Sequence, residues 1–127
     1  QEAFQWIGQE VADECWSGYQ KKLASWKACR PRFEDLLAHW DELKAELQKQ
    51  LVAPEYLCKQ MHAAGAPTRY CQMTPPIDAK TARWALLNCH LYRNRFTLSD
   101  LLYYIGWWKE DFIERLIARA EELDAGL

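Results

Sequence analysis

Apolar residues recur at three- and four-residue steps along almost the whole chain, and no segment alternates apolar with polar over the length a strand needs. That single feature restricts the fold to packed helices. Phe4, Ile7, Val11, Cys15, Tyr19, Leu23 and Trp26 form one stripe, which predicts a first helix from Phe4 to about Trp26. Gly8 and Gly18 weaken it slightly, and Arg30-Pro31 marks its stop, because the residue before a proline is pushed out of the helical region. A second stripe, Phe33, Leu36, Leu37, Trp40, Leu43, Leu47 and Leu51, predicts a continuous helix from Pro31 or Arg32 to Leu51.

Pro54 suits the first turn of a shorter third helix ending at Gly65. The stretch from Gly65 to Pro76 is the longest irregular one. Asp78 is a good N-cap for a fourth helix carrying Trp84, Leu87 and Leu91. After the break at Arg93-Asn94-Arg95-Phe96, Thr97 with Asp100 resembles a capping box, with Asp in place of Glu or Gln. The helix it starts runs to Ile105 and ends at Gly106, and a last amphipathic helix follows from about Trp108 to Leu123. The expectation is an all-α, compact bundle of about six helices in one domain over residues 1–127.

At 127 residues the chain is long enough for a core of its own. A formal net charge of -2, with basic residues scattered, leaves no electrostatic footprint for nucleic acid. No apolar run approaches a membrane span, and the first residues do not read as a signal peptide. The chain starts at Gln1 rather than Met, which suggests a processed or excised piece. Five cysteines, an odd number without tight spacing, read as free thiols, so a reducing, cytoplasmic setting is expected. Seven Trp and six Tyr imply either a thick core or a face that something else covers. Trp6, Trp16, Trp107 and Trp108 are the candidates for such a face and for a homodimer contact.

Few residues suggest chemistry. There is no glycine-rich phosphate loop and no nucleophile elbow. Cys58 and His62 stand one helical turn apart with Cys71 in the following loop, yet no third and fourth ligand at fixed spacing completes a metal set. The acidic pairs lie on solvated helix faces and lack the His partner of a di-metal motif. No catalytic, cofactor-binding or metal-ligating residue is assigned. Arg93 and Arg95 are the candidate anion or substrate contacts, since two guanidiniums flank a helix start where backbone amides favour negative charge. The alternative is structural: bonds to the carbonyls ending the preceding helix and pairing with an acid such as Asp100.

The same residues carry a family resemblance. The run Leu57-x3-Met61-x2-Ala64-Gly65-Ala66-Pro67-Thr68, then a helix, then Arg93-x-Arg95-Phe96-Thr97-Leu98-x-Asp100-Leu101, resembles the C-terminal end of glycerol-1-phosphate dehydrogenases. Tyr19-x2-Lys22, Trp40 and the Leu43 to Leu51 stripe are similar to the family's helices before that tail, so the likeness reaches from about Trp6 to Trp108. Departures are His90 before the arginines, the Tyr70 to Pro76 loop, Trp107-Trp108 and the added terminal helix. The family belongs to the metal-dependent polyol dehydrogenases. The resemblance implies a parent of phospholipid metabolism that reduces dihydroxyacetone phosphate with NAD(P) and a divalent metal held by one Asp and two His. It further implies an N-terminal nucleotide-binding domain as the partner of this helical domain. His39, His62 and His90 match no ligand motif, so this chain alone is expected to be inactive. The rival expectation is a non-enzymatic helical module that binds a protein or a small ligand.

Overall fold

The computed structural model describes residues 8–92 and 94–126, and among them every regular element is helical. Seven α-helices follow in chain order: α1 (Gln9–Cys29), α2 (Phe33–Ala38), α3 (Trp40–Gln50), α4 (Pro54–Ala63), α5 (Ala79–Asn88), α6 (Leu98–Tyr104) and α7 (Glu110–Ala125). Single 3-10 turns lie at Arg30–Arg32, Tyr70–Gln72 and Cys89–Leu91. The expected helix start at Phe4 lies outside the described residues, as do Trp6 and Arg93.

α1 ends at Cys29, at the expected Arg30-Pro31 stop, and Pro31 sits in the first turn of the Arg30–Arg32 element that follows, where its missing N–H costs nothing. One boundary differs from the sequence pattern. The helix expected to run unbroken to Leu51 is interrupted at His39, whose φ of -105° and ψ of 17° lie outside the α region. The apolar spacing continues across that break, which is why periodicity alone passes over it.

The local signals hold. The Asp78 carboxylate accepts the Thr81 amide at 2.9 Å and caps α5. Gly65 follows α4 with φ of 68°; its amide donates to the His62 carbonyl and the next amide, of Ala66, to the Met61 carbonyl. Gly106 repeats that pattern after α6, with φ of 81° and Trp107 donating to Leu102. Both are Schellman stops, which need a residue content in the left-handed region.

The hydrophobic centre is small. α5 and α7 form the closest helix pair, burying Ala82, Ile113 and Ile117, and α4 packs on the other part of α7. The Trp108 indole donates to the Leu87 carbonyl at 3.0 Å, tying the start of α7 to α5. Arg83–Glu114 and Arg119–Glu55 bridge the same helices, but both are solvent-exposed and add little. On α1 the buried positions are Ala12, Cys15 and Lys22, whereas Val11 is exposed; the inward face is rotated from the purely apolar stripe.

The second stripe lies mostly outside this centre. No residue of α2 or α3 is buried, and Leu37, Trp40, Leu43, Leu47 and Leu51 all face solvent. The chain exposes 9849 Å². A compact monomer of 15.0 kDa exposes about 7,000 Å². Among the described residues no helix is long and apolar enough to cross a membrane.

Candidate functional site

The most deeply buried charges of the described chain meet where α1, the Cys89–Leu91 turn and α6 converge. The Lys22 ammonium lies 2.6 Å from Asp100 Oδ1, with both side chains almost fully enclosed, and it also donates to the His90 carbonyl. The other carboxylate oxygen of Asp100 accepts the Thr97 amide at 2.7 Å and the Thr97 hydroxyl at 2.6 Å. The Thr97 hydroxyl in turn accepts from the Asp100 amide, which completes the capping box. A buried ammonium is tolerated only when an anion and further acceptors surround it, and here the carboxylate and a carbonyl do so.

Aromatic rings wall this cluster. The His90 ring, itself buried, stacks on Tyr103 at 4.2 Å between centroids. Burial holds the His90 imidazole below its ordinary pKa; the Asp100 charge partly offsets this, and Lys22 adds to the lowering. Burial likewise raises the Tyr104 phenol far above its ordinary value, with nearby Tyr19 and Asp100 adding to the rise. Tyr104 lies parallel to Trp26, with centroids 5.3 Å apart and planes within 6°, and Phe96 completes the stack 6.1 Å from Tyr104. At Gly18 α1 runs close to Asn94: a Cβ there would lie 3.4 Å from that of Asn94.

Of the two candidate anion contacts, Arg93 lies outside the described residues and Arg95 is exposed on the surface beside this cluster. The acid considered as an arginine partner, Asp100, is bonded to Lys22. The first turn of α6 therefore already holds a carboxylate from its own chain. A polar cavity of about 610 Å³ is lined by Glu14, Ser17, Lys21, Tyr92 and Asn94. In the sequence Lys22 stands out only as part of the Tyr19-x2-Lys22 similarity. Its spacing from Tyr19 and Trp26 puts it on one helical face with them, but nothing in that spacing names the acid it meets.

Two apolar surfaces flank α2. One is a groove of about 710 Å³ between the end of α1, α2 and α6, with Trp26, Phe33, Phe96 and Leu101 in its walls and Arg32, Asp35 and His39 among its polar lining residues. The other, about 440 Å³, is lined by Leu37, Trp40, Leu98, Leu101 and Trp107. Of the tryptophans expected at a covered face, Trp16 and Trp107 are exposed, while Trp108 is half-buried and hydrogen-bonded.

The three histidines lie on separate elements. His39 lies between α2 and α3, His62 is exposed on α4, and His90 is closed in against Tyr103. Among the described residues no group of three or more His, Cys, Asp or Glu side chains is placed to hold an ion, and Cys58, His62 and Cys71 are not gathered. All five cysteines are free thiols. Comparison with protein-family models, with curated proteins and with solved structures gives no match to this chain.

Proposed function

We propose that the chain is the C-terminal helical domain of an enzyme resembling NAD(P)-dependent glycerol-1-phosphate dehydrogenase, and that it forms one wall of the substrate cleft. The observation that carries this reading is the Lys22–Asp100 pair. Tyr19-x2-Lys22 and the Arg-x-Arg-Phe-Thr-x-x-Asp run are two separate parts of the resemblance, and their charged members meet in one buried contact. A sequence pattern that closes on itself in this way behaves as a structural unit. The cofactor and the divalent metal belong, in this reading, to an N-terminal nucleotide-binding domain, since the histidines here do not fit a metal. The setting is cytoplasmic. The groove beside Phe96 and the exposed Arg95 gives the face turned toward that domain, where a guanidinium would meet a substrate phosphate.

The test uses the complete reading frame. Its upstream part must encode a glycine-rich nucleotide domain with an Asp and two His as metal ligands, and its product must reduce dihydroxyacetone phosphate. In that product, Arg93→Met and Arg95→Met separate the roles: one substitution raises KM for the phosphorylated substrate with the melting temperature unchanged, and the other lowers the melting temperature. A reading frame without such a domain ends the proposal. A second reading, a non-enzymatic module that binds a small ligand or a protein, is favoured by the aromatic-walled 710 Å³ groove, whose size is that of a small-molecule site. It gains if the upstream domain is missing and the isolated chain binds an apolar dye in a manner abolished by Phe96→Asp.

A further inference from the structure

We propose that the seam between α1 and α6 is an acid-opened joint: when His90 takes up a proton, both helices part from the turn between them and the groove they frame comes apart. The inference is independent of the dehydrogenase reading. α1 and α6 both pack on the Cys89–Leu91 turn, and His90 is the buried residue of that turn. Lys22 of α1 donates to the His90 carbonyl, and Tyr103 of α6 stacks on its ring. Asp100 of α6 closes the loop by pairing with Lys22. One histidine thus touches one helix through its backbone and the other through its ring.

Its site suits a neutral ring. The enclosed Nδ1 has no hydrogen-bond partner among the described residues. An imidazolium donates from both nitrogens, so a proton taken up here leaves a buried, charged N–H unpaired. The groups that face His90 are Lys22 from α1, Asp100 and Tyr103 from α6, and the Leu87 carbonyl from α5. The phenols of Tyr19 and Tyr104 lie beyond them, and burial keeps both protonated. Asp100 favours an imidazolium, but its Oδ1 already sits 2.6 Å from the Lys22 ammonium. Two cations would then share one carboxylate in an enclosure that excludes water. Parting the helices hydrates all three charges.

The groove depends on the same seam. Trp26 and Cys29 of α1 form one part of its wall, and Phe96 and Leu101, just before and within α6, form another. None of its described lining residues belongs to α4, α5 or α7. α5 and α7 hold each other through Ala82, Ile113 and Ile117, so that pair stays closed while the seam opens. An occupant of the groove would be released in acid and taken up again on neutralisation.

Amide hydrogen exchange on the full 127-residue chain, corrected for intrinsic rates, tests the inference. Between about pH 7.5 and about pH 5.5 the protection of α1 and α6 should fall by up to about tenfold, since the opened ring titrates near about 6.5. At both ends of that range α1 and α6 should be less protected than α7. His90→Phe keeps a ring against Tyr103 and takes no proton, so in that variant the fall should vanish. If it fails to fold, the unaltered chain supplies the second arm: in proton NMR the His90 ring should titrate at a lower pH than the exposed rings of His39 and His62. Protection of α1 and α6 that does not change with pH overturns the inference. So does a fall that persists in His90→Phe, equal protection of α1, α6 and α7, or a His90 ring that titrates together with His39 and His62.

Discussion

Replacing Lys22 with Met should be among the most damaging single substitutions in the chain, and a second substitution should repair most of the damage. Met keeps the packing of the lysine stem and removes only the charge. The ammonium lies 2.6 Å from Asp100 Oδ1, and the two side chains are 2% and 1% exposed. Solvent cannot replace the lost partner. Breaking a buried pair from one side costs about 3–5 kcal/mol, because an uncompensated carboxylate stays inside. In a domain of this size that lowers the melting temperature by roughly 10–20 °C. Adding Asp100→Asn removes the stranded charge, and the amide oxygen can still accept the Thr97 N–H that Asp100 now accepts. The double variant should therefore recover most of the loss and end within about 2 kcal/mol of the parent. Urea unfolding followed by far-ultraviolet circular dichroism on the four proteins of this cycle measures the coupling. A Lys22→Met cost below about 1 kcal/mol, or a double variant as unstable as the sum of the singles, would show that the pair does not hold α1 to α6.

Thr97→Ala removes the hydroxyl from the capping box of α6 and should cost about 1 kcal/mol in the same assay, with Thr97→Ser close to neutral. His90 supplies a pH dependence. Its pKa is lowered by burial, so below the ordinary imidazole value of about 6.5 the unfolded chain takes up a proton that the native chain does not. Stability should be full above that pH and fall as the pH drops toward the depressed native value; a His90→Leu variant that keeps the same slope in this window would show another group to be responsible.

What the sequence disclosed was local. Asp78, Gly65, Gly106 and Thr97 act on amides and carbonyls within five residues, so their roles can be read from order alone. The Lys22–Asp100 contact joins residues far apart in the chain, and no spacing rule announces it. The stripe from Phe33 to Leu51 shows a further limit. Periodicity identified its apolar face correctly, but whether such a face turns to its own core or to another surface depends on how many helices are available to cover it. Here α5, α4 and α7 cover one another, and α3 is left outside. The anion-contact reading was less legible still, since it depends on where guanidiniums point, which charge pattern does not encode.

The single lysine that reaches both the His90 carbonyl and Asp100 also governs which parts of the molecule open together. Because α1 has few other buried anchors, withdrawing Lys22 exposes the carboxylate that caps α6 and frees the turn before it in one event. The amides of α1 and α6 should therefore exchange hydrogen with a common opening free energy, as one cooperative unit. α3, with no buried side chain, exchanges as a second and far weaker unit in the lone chain. The domain is in this sense two layers of different permanence, and the interior cation marks the border of the firmer one.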